Sequence, residues 1–205
     1  MEVKRWRCTV CNYIHEGETP PDKCPVCGVG PEKFVLVTEE PVGEEDRRRM
    51  QKVLFNISYG LYIICSRDED KFNGQTANSL FQVTSDPLQV AVGINKNNLT
   101  HEYIKKSGVF TASILKQDQH DLVKHFGYKS GKEVNKMEGI KFKLCAKTGA
   151  PYIRKTLGYM GCKVNWDRTL DVGTHTLYVA EVVEALDLEQ GEPMTYAYYR
   201  ATRAK

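Results

Sequence analysis

No apolar run in these 205 residues is long enough to cross a membrane. The first residues also lack the apolar stretch of a signal peptide. The expectation is a cytoplasmic protein with no membrane partner. Net charge is only +3, too little to indicate nucleic acid. The run Arg47-Arg48-Arg49 follows Glu44, Glu45 and Asp46, which reads as ion pairs on a solvated helix face. No Gly-x-Gly-x-x-Gly follows a strand, Gly131-Lys132 lacks the upstream glycine of a phosphate loop, and no Gly-x-Ser-x-Gly occurs. A Rossmann dinucleotide site, a P-loop and a serine-hydrolase elbow are therefore excluded. His120 and His125 are five apart, roughly 140° around a helix, and cannot share a metal as an i, i+4 pair could. There is no internal repeat and no low-complexity segment.

What is present is cysteine, seven in all. Cys8 and Cys11 form one Cys-x-x-Cys pair, Cys24 and Cys27 another, with twelve residues between them. Two such pairs close tetrahedrally on one ion, and four thiolates suit iron or zinc. Disulfides would require an oxidising compartment, and an odd number of cysteines does not pair off. Trp6, Tyr13 and Phe34 flank the cysteines, as a module too small for an ordinary core requires. Cys65, Cys145 and Cys162 sit in apolar strand-like segments and read as small buried hydrophobes.

The string WRCTVCNYIHEGETPPDKCPVCGVGPEKFVLV resembles the short rubredoxin domain of rubrerythrin-like proteins. That resemblance implies one iron per chain held by Cys8, Cys11, Cys24 and Cys27, with the aromatics shielding it. The cysteines by themselves leave zinc open, in a structural zinc-ribbon docking module. The module is expected over residues 1–38. A polar joint containing Pro41 and Gly43 follows at 39–44, and a second domain runs from 45 to 205.

The second domain opens as a helix: acidic residues 44–46 favour its N-terminus, and Met50, Val53, Leu54 and Ile57 recur at helical spacing. Strands are expected at 60–66, 88–94, 109–115, 141–146, 159–166, 176–185 and 195–200, with short helices at 100–107 and 119–126. This is a mainly β chain, with the strands forming a closed or nearly closed antiparallel barrel. Two polar stretches interrupt it. In the first, Gln75, Thr76, Ala77, Asn78, Ser79, Gln82, Val83 and Thr84 place small polar groups where a flat ring edge can be bonded. An exposed edge strand is the other reading of those residues. The second, Asn95-Lys96-Asn97-Asn98-Leu99-Thr100, lies between a strand and a helix. Thr100 is its expected N-cap, and the free amides suit a phosphate. A simple Asn-rich turn is the alternative.

The segment SYGLYIICSRDEDKFNGQTANSLFQVTSDPLQVAVGINKNNLTHEYIKKSGVFTASIL resembles the flavin reductase-like family, an FMN-binding split barrel. So do GTHTLYVAEVVEA and EPMTYAYYR. The resemblance implies FMN, with the first stretch lining the isoalloxazine and Asn95, Lys96, Asn98 and Thr100 holding the phosphate. It implies a homodimer, and it sets His175 near a nicotinamide as the candidate catalytic residue. The C-terminal tyrosines Tyr196, Tyr198 and Tyr199 divide between core packing and approach to the flavin. The whole chain resembles fused flavin–rubredoxin proteins, the high-molecular-weight rubredoxins. The function implied is an oxidoreductase moving electrons from NAD(P)H, directly or through a partner reductase, via FMN and iron to a redox protein. A flavodiiron dioxygen or nitric oxide reductase or a rubrerythrin-like protein would be such an acceptor. A reductase that releases reduced flavin is the alternative.

Overall fold

The computed structural model describes residues 4–37 and 42–203. The chain divides into two units, residues 1–54 and 55–205. Residues 39–41 of the expected joint lie outside the described residues.

In the first unit β1 (Arg5–Cys8) is the centre of a three-stranded antiparallel sheet, between β2 (Ile14–Glu16) and β3 (Phe34–Leu36). The register sets Trp6 opposite His15 and Leu36, and Cys8 opposite Phe34. The aromatics therefore converge on the cysteines. Helix α1 (Glu44–Leu54) carries the basic run, with Arg48 and Arg49 paired to Glu44 and Asp46 at 2.6 Å each.

The second unit contains β4 (Tyr62–Asp68), β5 (Lys71–Ala77), β6 (Leu80–Ser85), β7 (Leu88–Asn95), α2 (Leu99–Ser107), β8 (Val109–Ile114), α3 (His120–Gly127), β9 (Phe142–Leu144), β10 (Pro151–Ile153), β11 (Gly158–Val164), β12 (Leu170–Asp171), β13 (His175–Asp187) and α4 (Tyr196–Thr202). The main sheet runs β5-β4-β8-β11-β13-β7-β6, with β12 against β13. Every pairing in it is antiparallel. Strands β5 and β6 are consecutive in the chain, joined by Asn78-Ser79 alone, yet they stand at opposite ends of this order. The sheet is thus rolled until its two edges meet, and the chain crosses the seam without pairing β5 to β6. That is a split barrel.

Burial follows from the strand period of two. On β4, Ile64 faces one apolar cluster with Val92, Ile94, Phe110 and Tyr178, which α2 joins through Ile104. Ile63 and Cys65 face the other cluster, which α3 and α4 cover through Val123, Phe126 and Tyr199. Both faces of β4 are covered, so Ile63, Ile64 and Cys65 are all fully buried. Edge strand β6 carries a register shift around Val83, a bulge of the kind that blunts an exposed edge.

Three expectations are corrected here. Residues 195–200 are not a strand: Thr195 accepts a bond from the Tyr198 amide and caps α4. The alternating aromatics are a helical face in which Tyr199 is buried. Thr100 is not the cap of α2. Asn98 holds that position with extended backbone, and Thr100 lies buried in the first turn. The strand expected at 141–146 shortens to β9, which leaves Cys145 in the turn beyond it, buried but outside a strand.

Candidate functional site

Each knuckle turns back on itself through a residue with positive φ. Asn12 (φ 60°) follows Cys11 and Gly28 (φ 78°) follows Cys27. The turns are closed by Asn12 N donating to Cys8 O at 3.0 Å and Gly28 N to Cys24 O at 2.9 Å. The four sulfurs lie within 4.8 Å of one another. The pairs Cys8–Cys27 and Cys11–Cys24 are 3.6 and 3.5 Å apart. A tetrahedron with metal–sulfur bonds of about 2.3 Å has edges of about 3.8 Å, so the donor set fits one tetrathiolate ion.

Burial works to raise Cys24, yet the amides of Cys27 and Val26 outweigh it and hold the thiol at about 6. Cys8 is lowered in the same way by the amides of Cys11 and Val10. The Tyr13 amide draws Cys11 down, but burial and the neighbouring thiols push it up to about 12. Amides aimed at sulfur pre-form the anionic charge that a metal needs. Trp6, Tyr13 and Phe34 pack around Cys8 and Cys24, and Trp6 Nε1 is fixed to Gly17 O at 3.1 Å. Cys27 is exposed, so one ligand faces solvent.

The two polar stretches of the larger unit meet at one end of the seam. Asn98 Nδ2 donates to Gln75 Oε1 at 3.0 Å, and Asn73 Nδ2 to Thr100 Oγ1 at 2.8 Å. Behind them lies a cavity of about 80 Å³, walled also by Thr76 and by residues of the 126–136 segment. Thr76 reaches the other way to the Val123 carbonyl of α3, at 3.0 Å. Ala77 points into the core. Asn78 stands partly exposed at the crossing, and Ser79 ties it to β7 by donating to Gly93 O at 2.9 Å. Farther along β6, Gln82 and Val83 are exposed, and Thr84 is partly so. The Gln82 side chain bonds within its own strand, donating to Thr84 O and Ser85 Oγ.

Asn95 Oδ1 accepts the Asn97 amide at 2.9 Å and shapes the strand-to-helix turn. Lys96 has its ammonium 2.6 Å from both carboxylate oxygens of Asp171, a residue that sequence reasoning did not single out. The Lys96 ammonium bond, followed by the Gly173 amide, holds Asp171 below the usual carboxylate range. His175 opens β13 directly opposite Asn95, with Nδ1 2.8 Å from Thr174 Oγ1. His101 was also missed. Its Nε2 lies 2.9 Å from Thr176 Oγ1, and burial, then Lys105 and Lys96, lower its pKa. Asn95, Lys96, His101, Asp171 and His175 therefore form one polar group at the start of β13. Asp171 and Lys96 are 75 positions apart, a distance at which no local pattern announces the pair.

A family profile described as the flavin reductase like domain matches residues 54–205, the whole split barrel. The chain belongs to the flavin reductase-like family. A second profile, the rubredoxin-like domain of rubrerythrin, matches residues 6–35. High molecular weight rubredoxin of Moorella thermoacetica is 47% identical over 154 residues, covering 74% of this chain and 66% of that protein, just under two-thirds of its length. Ferric-chelate reductase (NAD(P)H) of Archaeoglobus fulgidus is 40% identical over 150 residues, 72% of this chain and 87% of the relative. Among solved structures, the NADH:FAD oxidoreductase SgcE6 of Streptomyces globisporus, in complex with NAD and FAD fragments, superposes with a TM-score of 0.66 at 25% identity. That match covers 77% of this chain and 92% of SgcE6. The split barrel is a flavin reductase-like domain, and the N-terminal knuckle is a rubredoxin-like tetrathiolate site suited to iron. No helix among the described residues is long and apolar enough to cross a membrane.

Proposed function

We propose that this protein carries electrons from NAD(P)H through FMN to a tetrathiolate iron and on to a redox protein. The carrying observation is one chain holding both a four-sulfur site with its members within 4.8 Å and a flavin reductase-like split barrel. When bound, FMN accepts two electrons at once and releases them one at a time, while four-cysteine iron exchanges one. Residues 1–38 form the iron module, 39–44 the joint and 45–205 the flavin module.

The chain's own residues have distinct tasks. Exposed Cys27, beside exposed Val26, is the outlet where an acceptor docks. The backbone crossing the seam at Asn78 and Ser79 meets the ring edge, and Asn98 and Thr100 face the phosphate end. Asn95 is braced by its own turn and Lys96 by Asp171, so both hold the turn in shape. His175, opposite Asn95, orients the nicotinamide. The protein works as a homodimer. A flavodiiron protein or a rubrerythrin-like protein is the acceptor, in keeping with the resemblance to diflavin flavoproteins of Nostoc and reverse rubrerythrin-1 of Clostridium acetobutylicum.

Titration of the flavin-free chain with FMN and with riboflavin tests the flavin assignment. A charge-assisted phosphate contact is worth about 1.5–3 kcal/mol, so FMN should bind roughly ten- to a hundredfold more tightly. Equal affinities would remove the phosphate cradle. Retention of FMN through gel filtration separates a resident cofactor from a flavin released as product.

A further inference from the structure

Positive charge is concentrated in one hairpin. Residues 139–166 hold six of the chain's 29 basic residues and none of its 26 acidic ones. Without this segment the net charge of +3 becomes −3. Five of the six, Lys141, Lys143, Lys147, Arg154 and Lys155, lie in or beside the β9–β10 hairpin, and all five are exposed. None of the five pairs with a carboxylate among the described residues. The sixth, Lys163, stands opposite Glu181 where β11 meets β13.

Two features set this hairpin apart from an ordinary solvated face. Phe142 is opposite Ile153, and the Arg154 amide donates to Lys141 O at 3.1 Å. Lys141 and Arg154 are therefore cross-strand neighbours of like sign, which costs stability. Lys155 has φ 62°, in the left-handed region that residues with a long side chain seldom occupy. The fold keeps cations where its own stability argues against them. Lysine on an edge strand can guard against stray strand pairing, and β9 is the outer strand of this two-stranded sheet. That accounts for Lys141 and Lys143. It does not account for Lys147 in the turn, or for Arg154 and Lys155 after the inner strand β10.

The hairpin is also held in shape. Gly149 N donates to Cys145 O at 2.8 Å, and Arg67 Nε donates to Thr148 O at 3.0 Å. Glu184 accepts the Ala146 and Lys147 amides at 3.3 and 3.2 Å and the Tyr159 hydroxyl, so that carboxylate is engaged by the turn and by β11. The hairpin's aromatic rings are packed on other rings: Phe142 meets Phe72 edge-on, and Tyr152 stacks on Tyr159 with centroids 3.7 Å apart. Leu144 is 51% exposed. The outer surface is thus one leucine among cations. Unpaired bases need an exposed ring to stack on, and membrane insertion needs a broader apolar face. An apolar centre with a charged rim is the anatomy of a protein interface.

We infer that the β9–β10 hairpin is the docking surface for the acidic face of a redox protein, the one-electron acceptor of the proposed path. That this partner is the acceptor rests on the proposed function; that the hairpin binds an acidic protein surface does not. Residues 1–38 carry five basic and five acidic residues, so the knuckle segment adds no net charge of its own. Steering of an acidic partner, which acts through complementary charge at encounter, therefore falls to the hairpin.

The test uses the full-length protein loaded with iron and FMN, intact and with Lys141→Gln, Lys143→Gln and Arg154→Gln combined. The probes are a free rubredoxin of net negative charge and, as a basic control, cytochrome c. With all proteins oxidised, the acidic rubredoxin should bind the intact chain at low salt, weaken as salt is added, and bind the variant roughly tenfold less tightly. Its reduction by the pre-reduced protein should slow in parallel, while reduction of cytochrome c should not slow. The variant's Tm should be unchanged or higher, because the Lys141–Arg154 opposition is relieved. A lower Tm or aggregation of the variant, with rubredoxin binding unaltered, would mark the cations as edge guards and overturn the inference. Binding by the intact chain that is insensitive to salt would overturn it without any variant. Hairpin-dependent binding of duplex DNA or phosphatidylserine vesicles, with none of the rubredoxin, would overturn the protein partner. If rubredoxin binding follows the hairpin charge but electron delivery does not, the docking surface stands and the acceptor role falls.

Discussion

Replacing Cys24 with Ser should abolish metal binding, from one iron per chain to none, and unfold the knuckle unit. Cys24 is one of the two buried ligands, and the amides of Cys27 and Val26 lower its thiol. A hydroxyl there offers no soft donor. Among the described residues the knuckle unit buries only Cys8, Cys24 and Phe34 in its core, too little to fold without the metal, so binding energy and folding energy are the same quantity. The larger unit has its own apolar clusters and should keep its fold and its flavin. Metal analysis, the visible spectrum and an FMN titration of the variant read all three. Full metal retention, or loss of flavin together with metal, would contradict this division.

The same variant should lose delivery of electrons to a one-electron protein acceptor while keeping reduction of its flavin. The expected rate to the acceptor is the background given by reduced flavin alone. The reason is chemical: the thiolate site exchanges single electrons, and Cys27 brings that site to the surface. The comparison is made anaerobically at equal flavin content, so that a lower rate reflects the missing outlet rather than missing cofactor. Undiminished delivery by the variant would point to flavin as the direct donor, with the knuckle as a structural or docking module.

The knuckle was legible because its information is local. Spacing of the cysteines and the nearby Trp6, Tyr13 and Phe34 all fall within 29 consecutive positions, and the fold brings them together through a short sheet. The barrel strands were legible as apolar alternation, most clearly β7 and β8. The segment after Pro193 was not, since alternating tyrosines satisfy both a strand face and a helix face, and only the Thr195 cap bond decides for the helix. Polarity marked residues 73–84, but the reason lies in topology. The chain breaks at Asn78-Ser79 because the sheet's two edges meet there, and while strand content pointed to a closed barrel, nothing local in the sequence marks where it closes. Thr100 read as a cap because Ser and Thr favour that position, whereas its hydroxyl is spent on Asn73, 27 residues earlier.

Anaerobic stopped flow on the intact protein reads the order of electron flow. NAD(P)H is supplied directly or through a partner reductase, and flavin and tetrathiolate iron are followed by their separate visible bands. The flavin band should bleach first and the iron band should follow, with both reoxidised when a one-electron protein acceptor is added. An iron band that stays unchanged while flavin is reduced and the acceptor turns over would contradict it.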